Sequence, residues 1–302
     1  MILDAFRGAL MGMAELVPGV SGGTVALITG VYVRVIDSAS HVVTAARKLI
    51  TGPERWAAAK RELVQVHWGM LIPLIVGMGV ALFSMAGVMS PFIQTSPELA
   101  RGLFLGMVAA SVAIPLLMVE PSTGVGWWAK VRLGVLWFAV AALAFWLTGL
   151  GGATTVVDPS PWMIVGSAAV AVCALVLPGV SGSFVLLVLG LYEPTVGAAS
   201  HFDLGYLGLF VLGAIAGLAG FVKGLHWLLH RHHTMTMVVM SGLMLGSLRA
   251  LWPWQGPQRE LLPVGDQAVA VFGLTALGAA VVLALIVVDR VLVRGRVLAE
   301  VA

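Results

Sequence analysis

The sequence predicts an all-α polytopic membrane protein made of two inverted repeats, each with one re-entrant broken-helix hairpin plus three transmembrane helices. Three observations lead there. Of 302 residues, 60% are apolar and only 10% charged, against about 25% charged in an ordinary soluble domain, and the mean hydropathy is +1.02. Several apolar runs reach the roughly 20 residues that span a hydrocarbon core. Lastly, the pentapeptide Pro-Gly-Val-Ser-Gly stands twice inside apolar stretches, at 18–22 and 178–182.

The first repeat, 1–150, opens with the interrupted stretch 4–43. Asp4 and Arg7 precede a Gly-interrupted segment with no separate basic region or small-residue cleavage site, so the chain is expected to begin near Met1 rather than after a signal peptide. Proline cannot donate a backbone hydrogen bond, it disfavours helix in the residue before it, and glycine opens conformations closed to other residues. The stretch therefore reads as two half-helices around an irregular turn. Uninterrupted spans follow at 68–89, 99–119 and 131–150. The second repeat, 151–302, runs in the same order: a broken stretch at 162–199, then spans at 205–230, 234–251 and 267–288.

Aligned at an offset of 160, residues 18–41 and 178–201 agree at 12 of 24 positions, including Gly30/Gly190, Tyr32/Tyr192 and His41/His201. A second echo pairs RGLFLGMVAAS at 101–111 with SGLMLGSLRAL at 241–251. Basic residues tend to stay cytoplasmic, which decides between dipping and crossing. With a cytoplasmic N-terminus and re-entrant broken segments, one side receives Arg47, Lys48, Arg55, Lys60, Arg61, Lys130, Arg132, Arg231, Arg290, Arg294 and Arg296. The other keeps little beyond Arg259, with Arg101 and Arg249 near helix ends. Both termini are then cytoplasmic. Three spans lie between the broken segments, so the second copy is inverted and the two turns meet near the midplane from opposite faces, as in secondary transporters. Irregular backbone at that depth needs cover from protein or a polar cavity.

The motif suits an anion. Ser21 and Ser181 are placed to cap the helices that follow, whose first turns carry free N–H groups and the positive end of the dipole. Such ends match phosphate, and Gly22, Gly23, Thr24, Gly182 and Ser183 complete the candidate lining. Glu15, one turn before the first motif, is an ionisable group at membrane depth and reads as a proton carrier or a cation partner. Arg249 and Lys223 are alternative countercharges, though Lys223 can also snorkel to the surface. His226 and His230 stand four apart on a helix, but no acidic residue lies close by in sequence, so a wet helix end is favoured over a metal site. Trp56, Trp127, Trp128, Trp252 and Trp254 flank spans as an interfacial belt.

Other classes lose ground. The pI of 9.4 rests on a net charge of only +3 spread through short loops, so there is no nucleic-acid patch. The single Cys173 rules out a disulfide framework and a cysteine metal site. No Walker lysine or dinucleotide fingerprint follows the glycines. Gly19–Gly23 fits G-x-S-x-G, which would make Ser21 the nucleophile of an intramembrane serine hydrolase with His226 as base. A hydrolase has no use for a second copy. An inorganic-anion channel using the same helix ends stays open as a further reading.

AELVPGVSGGTVALITGVY, ALVLPGVSGSFVLLVLGLYEP and SGLMLGSLRALWPW together resemble the bacterial polyprenyl-phosphate transporter family. The resemblance runs over almost the whole chain. It implies a flippase of the bacterial cytoplasmic membrane that returns undecaprenyl phosphate from the outer to the inner leaflet for envelope-polymer synthesis. It implies no chemical step, no cofactor and no resident metal, membrane lipids as surroundings, and room for a homodimer. By the same resemblance Glu15, Ser21, Gly22, Gly23, Thr24, Ser181, Gly182, Ser183 and Arg249 line the substrate path. A polyprenyl tail must stay in lipid, so the cavity is expected to open sideways between helices, with Gly77, Gly79, Gly213 and Gly217 allowing close sliding contacts.

Overall fold

In a computed structural model of the chain, residues 1–15, 21–51, 54–119, 126–150, 156–256 and 258–301 are described, the side chains of 15, 82–83, 85–94, 200, 285 and 288–301 excepted. Among them the protein is all-helical, with no strand beyond an isolated bridge between Gln255 and Leu261.

Helix α1 (Ile2–Glu15) leads to the first motif, whose residues 18–20 lie outside the described residues. Ser21 caps α2 (Gly22–Ile28) by accepting from the Gly23 amide. Two turns later α2 stops: the Val31 amide reaches the Ala26 carbonyl at 2.9 Å and the Gly30 amide reaches Leu27 at 3.1 Å. That is the paired bond of a Schellman end, and it needs Gly30 at φ 72°. The chain turns by 120° into α3 (Tyr32–Ile50). The basic 44–66 segment is more than a loop, because it contains the helix α4 (Arg55–Val64), which packs on α3. Then come α5 (Trp68–Thr95), α6 (Pro97–Ser111), α7 (Ala113–Leu117) and α8 (Trp127–Thr148).

The second half repeats the opening. Ser160 caps α9 (Pro161–Val176), and Pro161 at its first position loses no helical bond. The motif follows, then α10 (Gly182–Val188) and a second Schellman end, with Leu191 to Leu186 at 2.8 Å and Gly190 at φ 71°. The chain bends 117° into α11 (Tyr192–Ser200). Each interrupted stretch thus breaks twice, at the motif and again at Gly30 or Gly190, where the sequence reading places one break. Helices α12 (Leu204–Arg231), α13 (His233–Ser247), a 3₁₀ turn (Leu248–Leu251) and α14 (Ala268–Val301) complete the chain.

Four helical segments are long and apolar enough to cross a membrane, Pro97–Leu117, Trp127–Thr148, Leu204–Arg231 and His233–Leu251, and up to seven if each bent pair is one span. The protein is a polytopic membrane protein. The predicted uninterrupted spans fall on α5, α6 with α7, α8, α12, α13 and α14.

Helices meet through glycine. A Cβ on Gly77 would lie 1.9 Å from the Ala5 carbonyl oxygen, and one on Gly213 would lie 2.2 Å from that of Val165, so α5 seats directly on α1 and α12 on α9. Across the halves, Gly106 of α6 meets Thr275 of α14, and its echo Gly246 of α13 meets Ala141 of α8. Gly217 is likewise in contact, against Ala169, whereas Gly79 faces open space and makes no close helix approach. The main apolar core gathers Leu27, Ile28, Tyr32, Phe104, Met237, Met240 and Met244 around α2. The core beside α10 is small: Ala171, Leu186 and Leu191.

Candidate functional site

Ser21 and the helix after it meet the end of α9 and the second motif. Ser21 is buried, and its hydroxyl donates toward the carbonyls of Leu175 (3.0 Å) and Leu177 (3.3 Å) at the end of α9. Thr24, also buried, accepts from the Gly179 amide at 2.9 Å, and the Tyr32 hydroxyl donates to Val176 at 3.1 Å. A Cβ on Gly23 would come within 2.7 Å of the Val176 carbonyl oxygen. The first copy's residues therefore satisfy the orphan carbonyls where α9 ends. No pairing of Ser21 with a histidine occurs among the described residues, and His226 faces Asp37 instead. The nucleophile and base of a serine hydrolase are not assembled. Glu15's side chain lies outside the described residues.

The second copy faces a cavity. Ser181 makes no cap bond to α10; its hydroxyl pairs with that of exposed Ser183 at 2.9 Å. Beside it a cavity of about 320 Å³ opens between α8, α10 and α13, walled by Leu143, Leu147, Phe184, Val185, Val188 and Leu243, with Thr148, Ser181 and Ser247 as its hydroxyls. Gly182 is buried against the Ala171 carbonyl.

Arg249 sits between two cavity-lining residues, Ser247 and Ala250. Its guanidinium lies against Gly149, where a Cβ would be 2.3 Å from Cζ, and 4.8 Å from the Phe145 ring centroid. Its Nε is buried and without a hydrogen-bond partner among the described residues. A buried unpaired donor on a charged group is costly. A second arginine, read from the sequence only as a loop charge and not as a site residue, is close by: Arg259 lies 4.4 Å over the ring of Phe184, a cavity wall. Burial and nearby Arg101 hold the Arg259 guanidinium below its ordinary pKa. Arg101 in turn donates to the Pro253 carbonyl at 3.3 Å. Arg259 carried no local signal beyond being a loop charge.

Lys223 is not part of this corner. Its ammonium donates to Ser40 at 2.9 Å and to Thr44, both on α3. It sits two turns before the α12–α13 junction, whereas Arg249 lies past the other end of α13, roughly 24 Å along the helix at 1.5 Å per residue. Of the two sequence candidates for the countercharge, only Arg249 adjoins the cavity.

Residues 11–267 match the model of the VCA0040-like family, described as undecaprenyl phosphate translocase-like. The chain is 34% identical over 252 residues to a polyprenyl-phosphate transporter of Vibrio cholerae serotype O1, covering 82% of this chain and 77% of that protein. It is 30% identical over 264 residues to a polyprenyl-phosphate transporter of Staphylococcus aureus, covering 83% and 86%. No solved structure matches. The chain belongs to the undecaprenyl phosphate translocase-like family and is a membrane transporter, not an enzyme.

Proposed function

We propose that this member of the undecaprenyl phosphate translocase-like family carries undecaprenyl phosphate from the outer to the inner leaflet of the bacterial cytoplasmic membrane, for reuse in envelope-polymer synthesis. One observation carries the reading: an apolar cavity with hydroxyls on its wall adjoins an arginine whose Nε is buried and unpartnered. At about 320 Å³ the cavity is at the small end of ligand sites, about 300–1,000 Å³. It takes the headgroup end of the lipid, and the rest of the tail stays in the bilayer. Arg249 binds phosphate oxygens through its fork, Ser181 and Ser183 add hydroxyl donors, and Arg259 raises the positive potential at the entrance. Ser21, Gly22, Gly23 and Thr24 act from behind, holding the end of α9 so that the second motif keeps its shape. Glu15 is assigned the proton that accompanies the lipid.

In the same reading, residues 1–150 and 151–302 are inverted repeats with re-entrant segments α2–α3 and α10–α11. The matching seams of Gly77 with Ala5 and Gly213 with Val165, and of Gly106 with Thr275 and Gly246 with Ala141, support it. The basic end, with Lys48, Arg61 and Arg231, faces the cytoplasm, and the Arg249 end faces outward, where the spent carrier is collected.

The test is transport itself. Purified protein in liposomes, given a labelled undecaprenyl phosphate in one leaflet, should move it to the other faster than empty liposomes do and faster than it moves a neutral polyprenol. Equal rates for the phosphate and the polyprenol would sink the reading.

A further inference from the structure

At the opposite end from Arg249, the fold brings together three side chains that the sequence keeps far apart. Asp37 comes from α3, and His226 and His230 from successive turns of α12. The Asp37 Oδ1 atom lies 3.5 Å from His226 Nε2 and 3.7 Å from His230 Nε2, and all three ligand atoms fall within 4.8 Å of one another. The missing acidic partner of the histidine pair is thus supplied across a helix interface.

The hydrogen-bond geometry of this group leaves acceptor atoms facing one another. His230 Nδ1 stands 2.9 Å from the His226 carbonyl oxygen, which can only accept, so Nδ1 carries the ring proton. In the tautomer with the proton on Nδ1 alone, Nε2 turns its lone pair toward the Asp37 carboxylate. Asp37 Oδ1, for its part, is buried and has no hydrogen-bond partner among the described residues. Two acceptors facing each other repel unless something positive, a second ring proton or a metal ion, stands between them. The carbonyl-anchored imidazole is also the way a metal-binding histidine is commonly oriented.

We propose that Asp37, His226 and His230 bind one divalent transition-metal ion, zinc by ligand type, which ties α12 to α3. Zinc–nitrogen bonds of about 2.0–2.1 Å place tetrahedral ligand atoms about 3.3 Å apart, so the two Asp–His separations need only a small contraction. Imidazole with a single carboxylate suits zinc over calcium or magnesium, which take oxygen ligands. Three protein ligands leave a fourth position for water, and the His230 side chain, 53% exposed, leaves the site open to ions from the aqueous side. Lys223, one turn before His226, turns its charge to Ser40 and Thr44 on the same seam, and His41, one turn after Asp37, is held by Glu62 at 2.8 Å. The metal would add a third tie to a contact that joins the first half of the chain to the second.

Calorimetry of the full-length protein in detergent with zinc chloride at mildly alkaline pH, where imidazoles are neutral, tests this independently of transport. One ion per chain should bind, with calcium and magnesium silent. Asp37→Asn and His230→Ala should each weaken binding by more than the roughly 10–100-fold that losing an outer-shell partner costs. The double variant His232→Ala/His233→Ala, which removes the neighbouring exposed histidines, should bind as the parent does. Zinc should raise the melting temperature of the parent and leave that of His230→Ala unmoved; since this side chain is half exposed, the variant keeps its fold. No binding to the parent, or binding lost with His232 and His233 and kept without Asp37, would overturn the site.

Discussion

The helices that follow the two copies of the motif, α2 and α10, end alike at Gly30 and Gly190 and differ in surroundings. Six of the seven residues of α2 are buried, against Gly182 and Leu186 in α10. The substitutions between the copies follow that difference. Gly23, with no room for a Cβ, corresponds to Ser183, which is exposed and bonded to Ser181. Thr24, bonded to the Gly179 amide, corresponds to Phe184, which walls the cavity beneath Arg259. A duplicated element that meets itself cannot stay symmetric, because one copy has to fill the space that the other leaves open. Here the first copy became a buried support and the second kept an open face.

The largest effect should come from making the first copy resemble the second. Gly23→Ser drives a side chain into the Val176 carbonyl and should cost about 2–3 kcal/mol or more, as overpacking of a tight core does, while Ser183→Gly should cost less than about 1 kcal/mol. Thermal unfolding in detergent reads both. Equal losses would mean the copies are equivalent after all.

Next comes charge: beside the second copy's cavity stand Arg249 and Arg259. Arg249→Ala should lower the liposome flux of the lipid phosphate at least about tenfold, the equivalent of 1.4 kcal/mol. Arg249→Lys should fall between, since it keeps the charge and loses the fork. Arg259→Ala should slow transport less. Normal flux in Arg249→Ala would remove the clamp.

A serine pair sharpens the contrast further. Ser21→Ala deletes a cap and the bonds to α9, so stability should drop by about 0.5–2 kcal/mol. Ser181→Ala removes no cap, so its stability should hardly move while transport falls. The opposite pattern, with Ser21 silent in stability, would contradict the division of labour.

The smallest effect concerns α4, which the second half lacks, since α11 runs into α12 through residues 201–203 alone. Hydrogen bonds from Lys48 at 2.5 Å and His41 at 2.8 Å hold the Glu62 carboxyl below its ordinary pKa. Its contribution is therefore complete above the unfolded carboxylate range, about 4.3, and disappears as pH falls through the lowered value. Amide exchange in α4 should speed up only in acid, and Glu62→Gln should flatten that dependence. The pair is near the surface and screened, so the change should be slight.

Much of the architecture was legible in the residues. Apolar runs and the repeated pentapeptide are local properties, so the helices α5, α6, α8, α12, α13 and α14 could be placed from them. The second break was harder: Gly30 and Gly190 matched in the repeat, yet a lone glycine within an apolar helix is tolerated. Only the left-handed φ and the bond pattern around it make it a stop.

The sequence by itself determined the membrane class, the duplication and the kinship, because burial in lipid is written into each segment's own composition. Tertiary structure alone decided which copy of the motif is buried, that Arg249 and not Lys223 adjoins the cavity, that Arg259 covers Phe184, and that Asp37 meets His226 and His230. Those pairings depend on which helix faces which across glycine seams. In an apolar bundle every face reads alike, so the chain carries no local mark of its partner until the backbones close on one another.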